Sequence, residues 1–155
     1  MKISGATQKS YPKFTYYLRH DMPKVANVTS IVNAIKALSG TTSKATIWKA
    51  LKWGNEPEIK IVPNLICAGV KAYGCYTFGA TEIRVDKQLV DDFEAGLGIT
   101  KTASGRRVYL LGVTLLHELT HWADSQDGVD DPVDGDPSNE EGNAYEKGVY
   151  GKVLP

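Results

Sequence analysis

His117, Glu118 and His121 stand in the order H-E-x-x-H within the segment HELTH. In a helix the two histidines, four apart, lie one turn from each other on one face and converge on a single ion. Glu118, one position along, faces the same space. Two imidazoles suit zinc, which lowers the pKa of a bound water towards about 7 and leaves a neighbouring carboxylate to act as general base. The pattern therefore points to metal-assisted hydrolysis, with His117 and His121 as ligands of Zn²⁺ and Glu118 as base. Leu110, Leu111, Val113, Leu115 and Leu116 make the preceding turns apolar, so the helix is expected to be buried. Polar groups at the end of a buried helix are costly unless something satisfies them.

A catalytic zinc takes three protein ligands and keeps one position open. The chain has three histidines; His20 lies far upstream and none follows His121, so the third ligand is expected to be a downstream carboxylate. The candidates are Asp124, Asp127, Asp130, Asp131, Asp134 and Asp136 in an Asp- and Gly-rich turn, and Glu140, Glu141 and Glu146 on a last helix. A helix holds a ligand more rigidly than such a turn. Glu141 is preferred, because Ala144 three residues on lets two helices approach closely. Glu140 points about 100° away from it, and Glu146 is rotated towards a place behind the ligands. Asp124, one turn after His121, is a candidate acceptor for a ligand's second ring nitrogen. The donor to a tetrahedral oxyanion stays open among Tyr145, Tyr150, Tyr109 and His20. The acidic turn lacks the 12-residue order of a calcium-binding EF-hand and reads as a solvated turn.

The elements that must hold these residues follow from caps and periodicity. Residues 1–28 are polar and aromatic without a clear period and read as an irregular N-terminal arm packing through Tyr11, Phe14, Tyr16 and Tyr17. Ile31, Val32, Ile35 and Leu38 predict a helix capped by Thr29 or Ser30, and a second is predicted after Thr42 or Ser43. Residues 59–62, 72–78 and 81–85 read as strands, the last two joined at Gly79-Ala80. A short helix is predicted over 90–95, a polar loop over 101–107 and a long helix from Arg106. Ser138 with Glu141 has the spacing of a capping box and predicts the start of the last helix. Cys67 and Cys75 are expected to be a reduced, buried pair.

HELTH followed by a carboxylate on a later helix resembles the gluzincin branch of zinc metallopeptidases. The wider pattern, HELTHWAD, then DG, then EEGNAYEKGVYG, with YGCYTFGATEIRVD upstream, resembles the metallopeptidase toxin domains at the C-terminal ends of bacterial polymorphic toxins, over residues 70–151. The resemblance implies an α+β, zincin-like fold: a small mixed or antiparallel sheet, an H-E-x-x-H helix and a following C-terminal helix. It also implies His117, His121 and Glu141 as ligands and Glu118 as base. Further implications are secretion or injection within a larger bacterial toxin and a possible cognate immunity protein. Zincin-like folds hold an extended peptide on a strand edge. Residues 81–85 are the candidate, an ordinary internal strand being the alternative.

The bulk properties fit. The 155 residues carry 18 basic and 18 acidic groups and are 42% hydrophobic, which suits one soluble domain made of the arm (1–28), a basic helical part (29–65) and an acidic catalytic part (66–155). Zero net charge argues against nucleic-acid binding, but the first 65 residues sum to +7 and the rest to −7. The apolar stretch 110–116 is too short to span a membrane, and the N-terminus lacks the apolar core of a secretory signal. A monomeric zinc-dependent endopeptidase acting on a peptide or protein is the expectation. The alternatives are a catalytically silent zincin-like binding module and a zinc hydrolase of a non-peptide amide.

Overall fold

The first third of the chain is divided into short helical pieces, two of them opened by serine caps. The computed structural model describes residues 1–130, 133 and 139–155. Ser4 accepts from the Thr7 N–H and opens α1 (Gly5–Ser10); α2 (Pro12–Tyr16), a π-helical turn (Tyr17–Asp21) and a 3-10 turn (Met22–Asn27) follow. The irregular arm expected over 1–28 is thus helical. It changes helix type every few residues, which blurs the period, yet Phe14, Leu18 and Met22, four apart, are all fully buried. Helices α3 (Thr29–Ala37) and α4 (Lys44–Leu51) fall where the periodicity places them. Ser43 caps α4, whereas α3 starts from Val28 with no side-chain cap.

The strands come next: β1 (Glu58–Val62), β2 (Ile66–Cys67), β3 (Val70–Lys71), β4 (Gly74–Tyr76) and β5 (Glu82–Asp86). The main sheet has the order β1-β5-β4, with β1 and β5 parallel and β4 antiparallel to β5. Residues 81–85, the candidate peptide-holding edge, therefore lie in the middle of the sheet with both sides paired, and β4 is the edge instead. β2 and β3 form a separate hairpin whose two loop residues, Ala68 and Gly69, both have positive φ (48° and 83°), the requirement of a type I′ turn. A disulfide joins Cys67 on β2 to Cys75 on β4, with the Cα atoms 5.7 Å apart. The expected reduced pair is corrected: the two strands lie side by side and bring the thiols within bonding reach.

Asp86 ends β5 and caps α5 (Lys87–Glu94) by accepting from Gln88 N–H, so this helix begins three residues before the predicted 90. The polar loop predicted over 101–107 is the turn of a hairpin, β6 (Ile99–Lys101) with β7 (Arg107–Tyr109). Arg107, Val108 and Tyr109 pair as a strand, so the long helix α6 (Leu110–Asp124) starts four residues later than predicted. A 3-10 turn (Ser125–Asp127) follows, then α7 (Glu141–Tyr150). Ser138, the predicted cap, lies outside the described residues, as do Asp131, Asp134 and Asp136. The α7 cap is Glu140, which accepts from Gly142 N–H and Asn143 N–H.

The result is an α+β fold around α6. Its buried Leu111, Leu115, Leu119 and Trp122 join Ile59, Ile83 and Val85 of the sheet and Leu18, Ile35 and Leu51 of the N-terminal helices in one core. Among the described residues no helix is long and apolar enough to cross a membrane.

Candidate active site

Helix α6 carries His117, Glu118 and His121 out of the core and against the first turn of α7. The two helices approach closely because Gly142 has no side chain: a Cβ there would overlap the His117 ring. Gly74 on β4 has the same role on the other side, since a Cβ would come within 2.6 Å of Glu118 Oε1. Sequence reasoning overlooked both glycines, because their reason is spatial and neither has positive φ.

Each imidazole is held from behind by a carboxylate. His117 Nδ1–H donates to Glu146 Oε1 at 2.7 Å, and His121 Nδ1 lies 3.1 Å from Glu141 Oε2. With the Nδ1 protons so engaged, the Nε2 atoms turn to a common point. There His117 Nε2 lies 2.9 Å from Glu140 Oε1, which also touches His121 Nε2. His117, His121 and Glu140 each offer one ligand atom, all within 4.8 Å of one another. Glu141, the sequence's preferred third ligand, meets the opposite edge of the His121 ring. The helix begins two residues later than the capping-box spacing predicts, so Glu140 is its cap and faces the Nε2 atoms.

Glu118 Oε1 is 4.0 Å from His117 Nε2. Burial pushes its carboxyl above the ordinary carboxylate range, against the pull of both histidines and the Tyr76 backbone N–H. Asp124, the acceptor expected beside His121, is buried and lines the same cleft. That cleft, about 360 Å³, is walled by Cys67, Val70, Tyr76 and Phe78; a smaller one of about 210 Å³ continues past His117 and Glu118 to Asn143 and Leu154. None of the four expected oxyanion donors lines either cleft. Tyr145 is fully buried with its hydroxyl against that of Tyr150, Tyr109 packs on Phe93, and His20 stacks on Tyr16.

Two imidazole nitrogens and a carboxylate oxygen meeting at one point, all acceptors in their metal-ready forms, are a donor set that a cation satisfies. Residues 7–151 match the family described as metallopeptidase toxin 3. The chain belongs to that family. No curated protein and no solved structure matches it. Membership of metallopeptidase toxin 3 makes this a toxin peptidase module that works with a metal ion, and its match takes in the helices and the strand edge that form the cleft. In this metallopeptidase toxin 3 domain His117, His121 and Glu140 are a group able to hold that ion.

Without metal the site holds protons. Burial opposes the charged imidazole, but the carboxylates of Glu140 and Glu146 outweigh it and raise His117 to about 10; Glu140 and Glu141 likewise raise His121 to about 9. Both lie above the unfolded value of about 6.5, so their contribution to stability is complete below that pH and disappears as pH rises through 9 to 10. At pH 7 an entering metal must displace these protons. Titrating zinc into the metal-free chain in buffers of different ionisation enthalpy is expected to show proton release and an affinity that rises with pH. Equal heats in all buffers would contradict it.

A second expectation concerns Gly142. Gly142→Ala forces the two helices apart at His117, at a cost of about 1–3 kcal/mol for overpacking. Metal content should fall while the far-ultraviolet spectrum stays helical. A fully metal-loaded Gly142→Ala chain would mean that the close approach is unnecessary.

Proposed function

We propose that the chain is a zinc-dependent endopeptidase with a zincin-like site, delivered as part of a bacterial toxin, in which His117, His121 and Glu140 hold the metal and Glu118 is the general base. The observation that carries this reading is the meeting of His117 Nε2, His121 Nε2 and Glu140 Oε1, with Glu118 beside them. Bound zinc would supply Lewis acidity, making a water more acidic and polarising the peptide carbonyl.

The protein groups do the rest. Glu118 takes a proton from the attacking water and delivers it to the leaving amine nitrogen. Its raised pKa brings it nearer to neutrality, where a group that accepts and then returns a proton works best. The Tyr76 N–H keeps the carboxylate aimed into the cleft. Asp86 N–H donates to Tyr73 O, and the pairing continues Gly74 with Val85, Cys75 with Arg84 and Tyr76 with Ile83. Antiparallel alternation then turns the main-chain groups of Gly74 and Tyr76 away from β5, leaving Gly74 to bind an extended substrate. Asn143 brings a neutral side-chain donor to the same cleft, suited to a developing oxyanion.

The test is cleavage of a denatured protein or an internally quenched peptide library by the chelator-stripped chain, with and without one equivalent of zinc. Internal cleavage restored by zinc supports the proposal. Zinc binding without cleavage would favour a silent binding module, and hydrolysis confined to non-peptide amides would favour the other alternative.

A further inference from the structure

Glu146 is buried, and each of its oxygens has one hydrogen-bond donor. Oε1 accepts from His117 Nδ1–H at 2.7 Å; Oε2 accepts from the main-chain N–H of Leu154 at 2.6 Å. The carboxylate that orients His117 is therefore itself fixed by the chain beyond α7. Gly151, with φ 77°, ends that helix and turns the chain back; a Cβ there would meet Ala103 at 2.8 Å, so both conformation and space call for glycine. Leu154 is then anchored by burial of its side chain, 6% exposed, and lines the smaller cleft with His117 and Glu118.

We propose that residues 152–155 are part of the metal-binding machinery: the Leu154 N–H positions Glu146, and Glu146 positions the Nε2 of His117. These residues lie beyond the span 7–151 that matches the family. The proposal rests on His117 being a ligand. Leu154 and Glu146 are positioning residues in this proposal, acting through the His117 ring. Their effect is to hold one ring orientation. A buried carboxylate that loses a donor takes up water or swings away, and the imidazole it held is then free to rotate.

The experiment uses the full chain and measures zinc affinity by competition with a chromogenic chelator. Leu154→Pro removes the N–H; Leu154→Ala keeps it and trims the side chain. Loss of a partner behind a metal ligand typically weakens binding about 10- to 100-fold, and this is the loss expected for Leu154→Pro. Leu154→Ala should bind zinc more tightly than Leu154→Pro. Deleting residues 153–155 gives a second route to the same loss, and circular dichroism of each variant shows whether α7 is kept. In ¹⁵N spectra of the zinc-loaded chain, the His117 ring N–H should shift or broaden in Leu154→Pro while that of His121 stays in place. Parent-like affinity in Leu154→Pro overturns the proposal, as does an equal loss in Leu154→Ala, which would make the tail a packing element. A parent chain that binds no zinc overturns the metal-site reading itself.

Discussion

Glu118→Gln is expected to keep the fold and the bound metal and to lose peptide hydrolysis, kcat/KM falling about 100- to 10,000-fold, the range that general base catalysis commonly contributes. The amide matches the carboxylate in shape, so Gly74 still accommodates it and the cleft is unchanged. What disappears is the ability to accept a proton from water. The loss should appear mainly in kcat, because Glu118 acts on the reacting atoms and contributes little to ground-state binding of the peptide. Metal analysis beside the kinetics separates the two roles. An inactive variant that has also lost its metal would place Glu118 among the ligands, and a fully active one would remove it from the mechanism.

The second large effect separates two neighbouring glutamates. Glu140→Ala should leave the chain without stoichiometric metal, since it removes the carboxylate oxygen that meets both Nε2 atoms. Glu141→Ala removes only the acceptor behind His121 and should retain metal with an affinity about 10- to 100-fold weaker. Part of the Glu140→Ala loss will come through α7, because Glu140 is its cap and cap removal costs about 0.5–2 kcal/mol. Glu140→Asn isolates that part: it retains a capping oxygen and removes the charge. Metal loss in Glu141→Ala with metal kept in Glu140→Ala would reverse the assignment.

The contrast between these two residues shows how far sequence reasoning reached. The H-E-x-x-H helix was legible because its chemistry depends on a spacing internal to one element. The strands at 58–62 and 82–86 were legible from β-branched alternation. The choice between Glu140 and Glu141 turned on where a helix begins, and one residue of error there rotates the face by about 100°. The hairpin at 66–71 was missed because Ala68-Gly69 lacks the Asn-Gly or Asp-Gly signal, although its backbone takes the same turn. Sheet order is not written in local pattern at all. β5 became central because β1, from earlier in the chain, pairs in parallel along the side that the neighbouring strand β4 leaves open.

Glu140 occupies two positions at once, the start of a helix and the meeting point of two imidazoles. A residue shared in this way couples two equilibria: whatever draws its carboxylate towards a cation also changes how firmly α7 closes its first turn. Loading and local folding then become linked functions of free metal concentration, and the native state gains RT ln(1 + [M]/Kd) of stability from the ion. The first turn of α7 should therefore exchange its amide hydrogens at a rate that reports metal occupancy, and a chelator added to this chain would act as a local denaturant as well as an inhibitor.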